Sequence, residues 1–122
     1  MTNATVQRKI LLVDDDTKLT AFVARHLRGE GYHLDTAMDG QEALDKATTR
    51  PPDLVLLDLS MPVMSGEDVL EQLSVTRPEL PVVVFTGYVD LRHRSGQVAA
   101  LLPKPVRPSE LLRTIRQALG QR

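Results

Sequence analysis

The sequence has no cysteine and no tryptophan, and among its 122 residues it has only two phenylalanines and two tyrosines. The absence of cysteine excludes disulfides, thiolate metal sites and cysteine nucleophiles, and the scarcity of aromatic residues predicts an aliphatic core. The formal net charge is −1, so no global field favours nucleic acid or an anionic membrane. No apolar run is long enough to span a bilayer, and the N-terminus has no signal-peptide pattern. These features predict one soluble, cytoplasmic domain that binds neither nucleic acid nor membrane.

The chain is organised around the stretch 53–66. Its four apolar residues 54–57 end at the carboxylate of Asp58, and such a short apolar run is typical of a strand buried on both faces of a parallel sheet. Pro62 and Gly66 then interrupt the chain and predict a loop. We therefore expect Asp58 at the carboxyl end of a central strand, where a lone buried carboxylate is costly unless other groups pair with it.

The rest of the chain alternates strands with helical segments. A helix begins at Asp16 or Thr17, either of which can cap it, and ends near Gly29 and Gly31; the segment 88–96 is ambiguous and predicts at best a short helix. The polar strand at 32–37 suits a sheet edge. The other predicted strands lie at 9–13, 81–85 and 98–102, and the other predicted helices lie at 41–49, after Gly66, and at 109–119. This alternation predicts a parallel α/β sheet with helices on both faces.

Polar residues follow four of these strands. Asp14 and Asp15 follow the first strand, Asp58 the third, Thr86 the fourth and Lys104 the fifth. Because the carboxyl ends of parallel strands share one sheet edge, these groups can converge there. A hard cation such as Mg²⁺ relieves the repulsion among clustered carboxylates, a hydroxyl and an ammonium suit a phosphoryl group, and a carboxylate can act as a nucleophile.

Four motifs carry a resemblance to a known family: residues 10–16, residues 56–62 with Gly66, residues 85–87 and residues 103–105. With these motifs the chain resembles a receiver domain of the two-component response-regulator family over essentially its whole length. The resemblance implies a doubly wound, flavodoxin-like sheet of five parallel strands in the order 2-1-3-4-5. It also implies a receiver domain at 9–120. The polar residues 1–8 before it are expected to be a flexible lead-in.

The resemblance implies a role for each residue of the site. Asp58 would be the phosphoacceptor and, with Asp15, a direct ligand of Mg²⁺ or alternatively Mn²⁺. Asp14 would help to hold the metal ion through water, and the backbone carbonyl of Ser60 would be another ligand.

The remaining implied roles concern the phosphoryl group. Thr86 would donate a hydrogen bond to it and Lys104 would pair with its charge. The phosphoryl donor would be a phosphohistidine on a sensor histidine kinase or a histidine phosphotransfer protein. The chain is therefore expected to be a phosphoacceptor able to catalyse its own phosphorylation and dephosphorylation, and not an enzyme. The sequence leaves open whether the Lys104–Pro105 bond is cis.

The sequence departs from the family pattern at the expected switch. Leu101 stands where the family usually has an aromatic residue, and the 18-residue separation of Thr86 from Lys104 is short by about one helical turn, which implies a shortened fourth helix. We expect Tyr88 to shield the phosphoryl group from water, with a half-exposed loop tyrosine as the alternative. We also expect phosphorylation to act by ordering residues 88–96.

Two other functions fit parts of the pattern. A phosphohydrolase of the haloacid-dehalogenase type would use Asp14 and Asp16, but Lys18 stands where that motif needs threonine. A receiver-like interaction module that takes no phosphate is the second alternative, although its acidic pocket would be expected to have degraded. The three adjacent aspartates could also be an acidic helix N-terminus, with Asp16 as its cap.

Overall fold

A computed structural model describes residues 7–59, 66–86 and 97–120, with Thr86 by its backbone alone. Five predictions lie outside these residues: the Ser60 ligand, the shielding role of Tyr88, the shortened helix predicted between the fourth and fifth strands, the ordering of 88–96 and most of the lead-in at 1–8. Within the described part of the chain, no helix is long and apolar enough to cross a bilayer.

The described strands form one parallel sheet in the predicted order β2-β1-β3-β4-β5. The aliphatic runs of the sequence supply the inner strands, and the polar strand β2 lies at the edge, as predicted. The strands are β1 (Lys9–Val13), β2 (His33–Ala37), β3 (Leu54–Asp58), β4 (Val82–Thr86) and β5 (Val98–Pro103). All four neighbouring pairs are parallel, so every strand has its carboxyl end at the same edge.

Four helices lie in the described residues: α1 (Thr17–Gly29), α2 (Gly40–Thr49), α3 (Gly66–Thr76) and α4 (Pro108–Ala118). Asp16 caps α1, because its Oδ1 accepts hydrogen bonds from the backbone N–H groups of Lys18 and Leu19 at 3.0 and 3.1 Å. This arrangement decides between the two capping residues that the sequence allowed. It also satisfies N–H groups that a helix start leaves without intrahelical partners.

The core has two layers, one on each face of the sheet. Leu11, Val13, Val55 and Leu57 pack on the side of α2 and α3, and alternate residues of the same strands pack on the side of α1 and α4. The helices therefore cover both faces, as predicted, and the core is mainly aliphatic. Phe22 of α1 remains 38% exposed.

Gly66 lies against the chain that leaves β3. Its N–H donates to the Leu59 carbonyl oxygen at 3.2 Å, and an added Cβ would lie 2.5 Å from the Leu59 Cα and also against the Asp58 carbonyl oxygen. Only a residue without a side chain permits this approach. The glycine thus fixes the start of α3 beside the end of the central strand.

Hydrogen bonds at the amino edge of the sheet tie β5 to α3. The Gln97 Nε2 donates to the Arg77 carbonyl oxygen at 2.7 Å and to the Leu73 carbonyl oxygen at 3.5 Å, and Arg77 in turn donates to the Ala47 carbonyl oxygen of α2 at 3.3 Å. The ladder between β4 and β5 then shifts register next to Ala99, because Val82 is opposite Val98 whereas the next residue of β4 is opposite Ala100.

Candidate functional site

Three carboxylates meet at the carboxyl edge of the sheet. Asp14 follows β1, Asp58 ends β3, and these two together with Asp15 each place a carboxylate oxygen within 4.8 Å of the others. Asp14 and Asp58 are only 1% and 2% exposed, whereas Asp15 is exposed. The cluster thus has two buried carboxylates and one that faces solvent.

Lys104 connects the two buried carboxylates. It follows β5, and its Nζ lies 3.4 Å from Asp58 Oδ2 and 3.6 Å from Asp14 Oδ2. The ammonium also lies over the Phe85 ring, 4.9 Å from the ring centroid. The Lys104–Pro105 peptide bond, left open by the sequence, is cis. One cation therefore partly balances two negative charges.

Asp14 is held by its backbone and shifted by its burial. Its N–H donates to the Ala37 carbonyl oxygen at 3.0 Å, and its Oδ1 accepts from the Asp16 N–H at 3.0 Å. Burial raises the pKa of Asp14 to about 6. The charge of Asp58 adds to this rise, while the Asp16 hydrogen bond and the charge of Lys104 oppose it. In the described structure Asp14 Oδ2 has no hydrogen-bond partner, which is the situation that a cation would relieve.

The donor set fits a hard divalent ion. Mg²⁺ prefers a few carboxylate oxygens and keeps several waters, and the exposed side of the cluster at Asp15 leaves room for them. A cation there would offset the mutual repulsion of the carboxylates. Residues present in the structure therefore suit Mg²⁺, and the site would hold it through Asp14, Asp15 and Asp58.

The structure brings together four of the residues predicted for the site: Asp14, Asp15, Asp58 and Lys104. The backbone of Thr86 ends β4 at the same edge. Leu101 lies opposite Val84 in the ladder and is partly buried against the core layer under α2 and α3. Leu101, the residue predicted to depart from the family's aromatic switch, therefore lies on the sheet face away from α1 and α4.

Asp16 does not join the carboxylate cluster. Its Oδ1 is used in capping α1, and the carboxylate that meets Asp14 and Asp15 from another strand is Asp58. A phosphohydrolase of the type considered above would need Asp14 and Asp16 as its acidic pair. The geometry therefore does not favour that alternative.

Reasoning from the sequence did not predict one contact of the site, that of the Phe85 ring with the Lys104 ammonium. Phe85 is 3% exposed and lies directly opposite Asp58 in the β3–β4 ladder. Strand alternation could have assigned Phe85 to the face of α1 and α4. It could not have shown that the ammonium of Lys104 lies over the ring.

A cavity of about 490 Å³ lies between α1 and α4, beside the site. Its walls are mostly apolar and include Phe22, Phe85 and Leu111, and Lys104 lies at its border. The Phe85 ring is thus shared between this cavity and the carboxylate site.

Known proteins are similar to this chain in sequence and in fold. The model of the response regulator receiver domain matches residues 10–116. The response regulator MprA of Mycolicibacterium vanbaalenii is 38% identical over 115 residues, which cover 91% of this chain and 50% of that protein. The chain thus spans about half the length of the curated relatives that it matches.

Solved structures agree with this match. A CheY-like receiver domain protein from Methanospirillum hungatei has a TM-score of 0.89 and 32% identity, with 94% of this chain and 95% of that chain covered. The response regulator TrrA from Thermotoga maritima, solved in complex with Mg²⁺ and BeF, has a TM-score of 0.84 and 30% identity, with 92% and 99% covered.

Proposed function

Because this chain belongs to the response regulator receiver domain family of two-component systems, we propose that it accepts a phosphoryl group on Asp58. The observation that carries the proposal is the meeting of three carboxylates within 4.8 Å, with Lys104 in contact with both buried ones. The receiver unit of the proposal is 9–120, and residues 1–8 are its flexible lead-in.

Mg²⁺ is the ion that we propose for the cluster, and Mn²⁺ would satisfy the same oxygen ligands. Asp15 and Asp58 would bind it directly, Asp14 would act through water, and the Ser60 carbonyl would complete the protein ligands. When bound, the ion supplies positive charge that offsets the carboxylates and the phosphoryl oxygens.

The proposed reaction is a transfer between nucleophiles. A carboxylate oxygen of Asp58 attacks the phosphorus of a phosphohistidine, the P–N bond breaks, and the imidazole leaves with the electron pair and later takes a proton from water. Lys104, already 3.4 Å from Asp58 Oδ2, would pair with a phosphoryl oxygen, and the Thr86 hydroxyl would donate to another. The donor would be a sensor histidine kinase or a histidine phosphotransfer protein.

Two further parts of the proposal concern residues 88–96. Tyr88 would slow hydrolysis by excluding water from Asp58, so Tyr88→Ala would shorten the lifetime of the phosphoprotein. Since Leu101 has no ring to turn inward, phosphorylation would act by ordering this segment, which hydrogen exchange with and without beryllium fluoride would detect.

Intact mass tests the proposal directly. We expect one phosphate adduct after incubation with acetyl phosphate and Mg²⁺, and none in Asp58→Asn or in excess EDTA. Asp53→Asn is a control that removes an aspartate at the other end of β3, where Asp53 Oδ2 accepts from the Lys9 N–H. This variant should label normally. Labelling of Asp58→Asn at the wild-type level would contradict the assignment, and a wild-type protein that never labels would favour an interaction module.

A further inference from the structure

We propose that Phe85 is a positioning residue, whose ring holds the Lys104 ammonium in place for phosphoryl binding. This inference rests on the proposed function of Asp58. The ring carries negative partial charge on its faces, and a cation within about 6 Å of the centroid is attracted to it. The observed distance is 4.9 Å.

The position of Phe85 in the sheet explains why the ring can act on the site. Phe85 and Asp58 are direct partners in the β3–β4 ladder, so the ring stands on the strand next to the phosphoacceptor. Lys104 leaves the following strand, because β5 pairs with β4 and Pro103 is opposite Thr86. The side chain of Lys104 therefore crosses above β4 to reach Asp58, and the ring of Phe85 lies under the crossing ammonium.

The surroundings of the ring make this contact matter. Phe85 is 3% exposed and lies in the apolar core layer with Leu56 and Leu102, whereas the Lys104 side chain is 27% exposed. The Lys104 side chain thus keeps partial contact with water, whereas the ring that its ammonium contacts is buried. A long, flexible lysine side chain loses several rotamers when it is fixed, and the ring reduces that loss at the moment of phosphoryl binding by restricting the ammonium beforehand.

The second phenylalanine of the chain offers a control for this proposal. Phe22 is the other phenylalanine of the sequence and lines the same cavity, but its ring contact in the described structure is with His26. Phe22→Leu therefore removes the same atoms from the same cavity as Phe85→Leu without removing a ring from Lys104.

The first measurement is a spectroscopic signature of the resting protein. Protons above an aromatic ring resonate upfield, so the ε-methylene protons of Lys104 should be shifted upfield in the wild type at pH 7. The shift should disappear in Phe85→Leu and remain in Phe22→Leu. Unshifted Lys104 ε-methylene protons in the wild type would overturn the proposal, whether or not Phe85→Leu folds.

The second measurement is the affinity for beryllium fluoride in saturating Mg²⁺. Phe85→Leu should weaken this affinity by about three- to tenfold, Phe85→Tyr should retain it because the ring is kept, and Phe22→Leu should leave it unchanged. In a Lys104→Gln background the Phe85→Leu change should have no further effect, because a double-mutant cycle isolates the contact between the two side chains.

The outcomes separate the two proposals. If the wild type binds beryllium fluoride and takes phosphate but Phe85→Leu binds equally well, the ring has no positioning role and the function of Asp58 stands. If Phe85→Leu loses the same affinity with Gln at position 104, the ring acts through packing and the inference is wrong. If the wild type neither binds beryllium fluoride nor labels, the proposed function of Asp58 fails, and the role of the ring fails with it.

Discussion

The Lys104 ammonium lies 3.4 Å from Asp58 Oδ2, so the charge proposed to bind the phosphoryl group already contacts the carboxylate proposed to carry it. Asp58 is buried, and a buried carboxylate is costly unless it is paired. The same contact therefore stabilises the resting fold and prepares the transfer. Removing the ammonium should therefore change both the stability of the metal-free protein and the rate of phosphoryl transfer.

Lys104→Gln should slow the phosphorylation of Asp58 by acetyl phosphate by about a hundredfold, because one preorganised donor to the developing charge is lost. The metal-free protein should lose about 2 kcal/mol of unfolding free energy, since two buried carboxylates lose their partner and the exposed part of the lysine limits the loss. Mg²⁺ affinity should rise, because a competing cation is gone. The exposed Lys18→Gln serves as control, and a fall in Mg²⁺ affinity in Lys104→Gln would contradict this reasoning.

The raised pKa of Asp14 predicts how the stability of the metal-free protein depends on pH. Its pKa is raised from 3.8 to about 6, so the folded state binds a proton at a higher pH than the unfolded state. The free energy of unfolding should therefore increase as the pH falls from 7 through 6 toward 4, by about 2–3 kcal/mol from this residue. Saturating Mg²⁺ should oppose the trend, since it binds the ionised carboxylate.

The measurement is urea denaturation of wild type and Asp14→Asn across this pH range. Asp35 and Glu79 have lowered pKa values. Burial alone would raise the pKa of Asp35, but its hydrogen bond and ion pair with Lys46 outweigh that effect, and the hydrogen bond and ion pair with Arg77 lower the pKa of Glu79. Their contributions change in the opposite direction, and they cancel in the difference between the two proteins. The prediction is wrong if that difference does not depend on pH.

Asp15→Ala should weaken Mg²⁺ binding more than Asp14→Ala. The exposed Asp15 would contact the ion directly, whereas loss of an outer partner such as Asp14 typically costs about 10–100-fold in affinity. Metal titration by calorimetry would rank the two variants. Asp16→Ser is the neighbouring control, because serine keeps an acceptor for the α1 cap, and a larger effect of Asp14→Ala would exchange the two roles.

Gly66→Ala should destabilise the protein by about 1–3 kcal/mol, because the added Cβ meets the backbone of Asp58 and Leu59 and neither can yield as a flexible side chain would. Gly29→Ala is the matched control: its Cβ would enter open space at the end of α1, so stability should rise by up to about 1 kcal/mol. Thermal denaturation of both variants checks the contrast. Equal effects on stability would show that the lack of space for a Cβ at Gly66 does not determine the stability of its alanine variant.

Sequence reasoning predicted the sheet well because its inner strands are short aliphatic runs between turn residues. It also brought Asp14, Asp58 and Lys104 to one edge, since parallel strands all end there. The sequence could not show that Asp14 is buried while Asp15 is exposed, because the turn after β1 decides which carboxylate points inward. Nor could it reveal the Phe85–Lys104 contact, which depends on the register of β5 and on a side-chain rotamer.

The hydrogen bonds of Gln97 hold one end of β5, and the pairing with β4 holds the other. The Gln97 side chain fixes the amino end of this edge strand to the C-terminal turns of α3. The carboxyl end is at Pro103, which has no N–H to donate to a ladder. The register shift near Ala99 separates the two ends. Four of the five pairs between β4 and β5 lie on the carboxyl side of that irregularity. The sheet therefore holds the end of the strand that presents Lys104, while the hydrogen bonds of Gln97 hold the other end against α3.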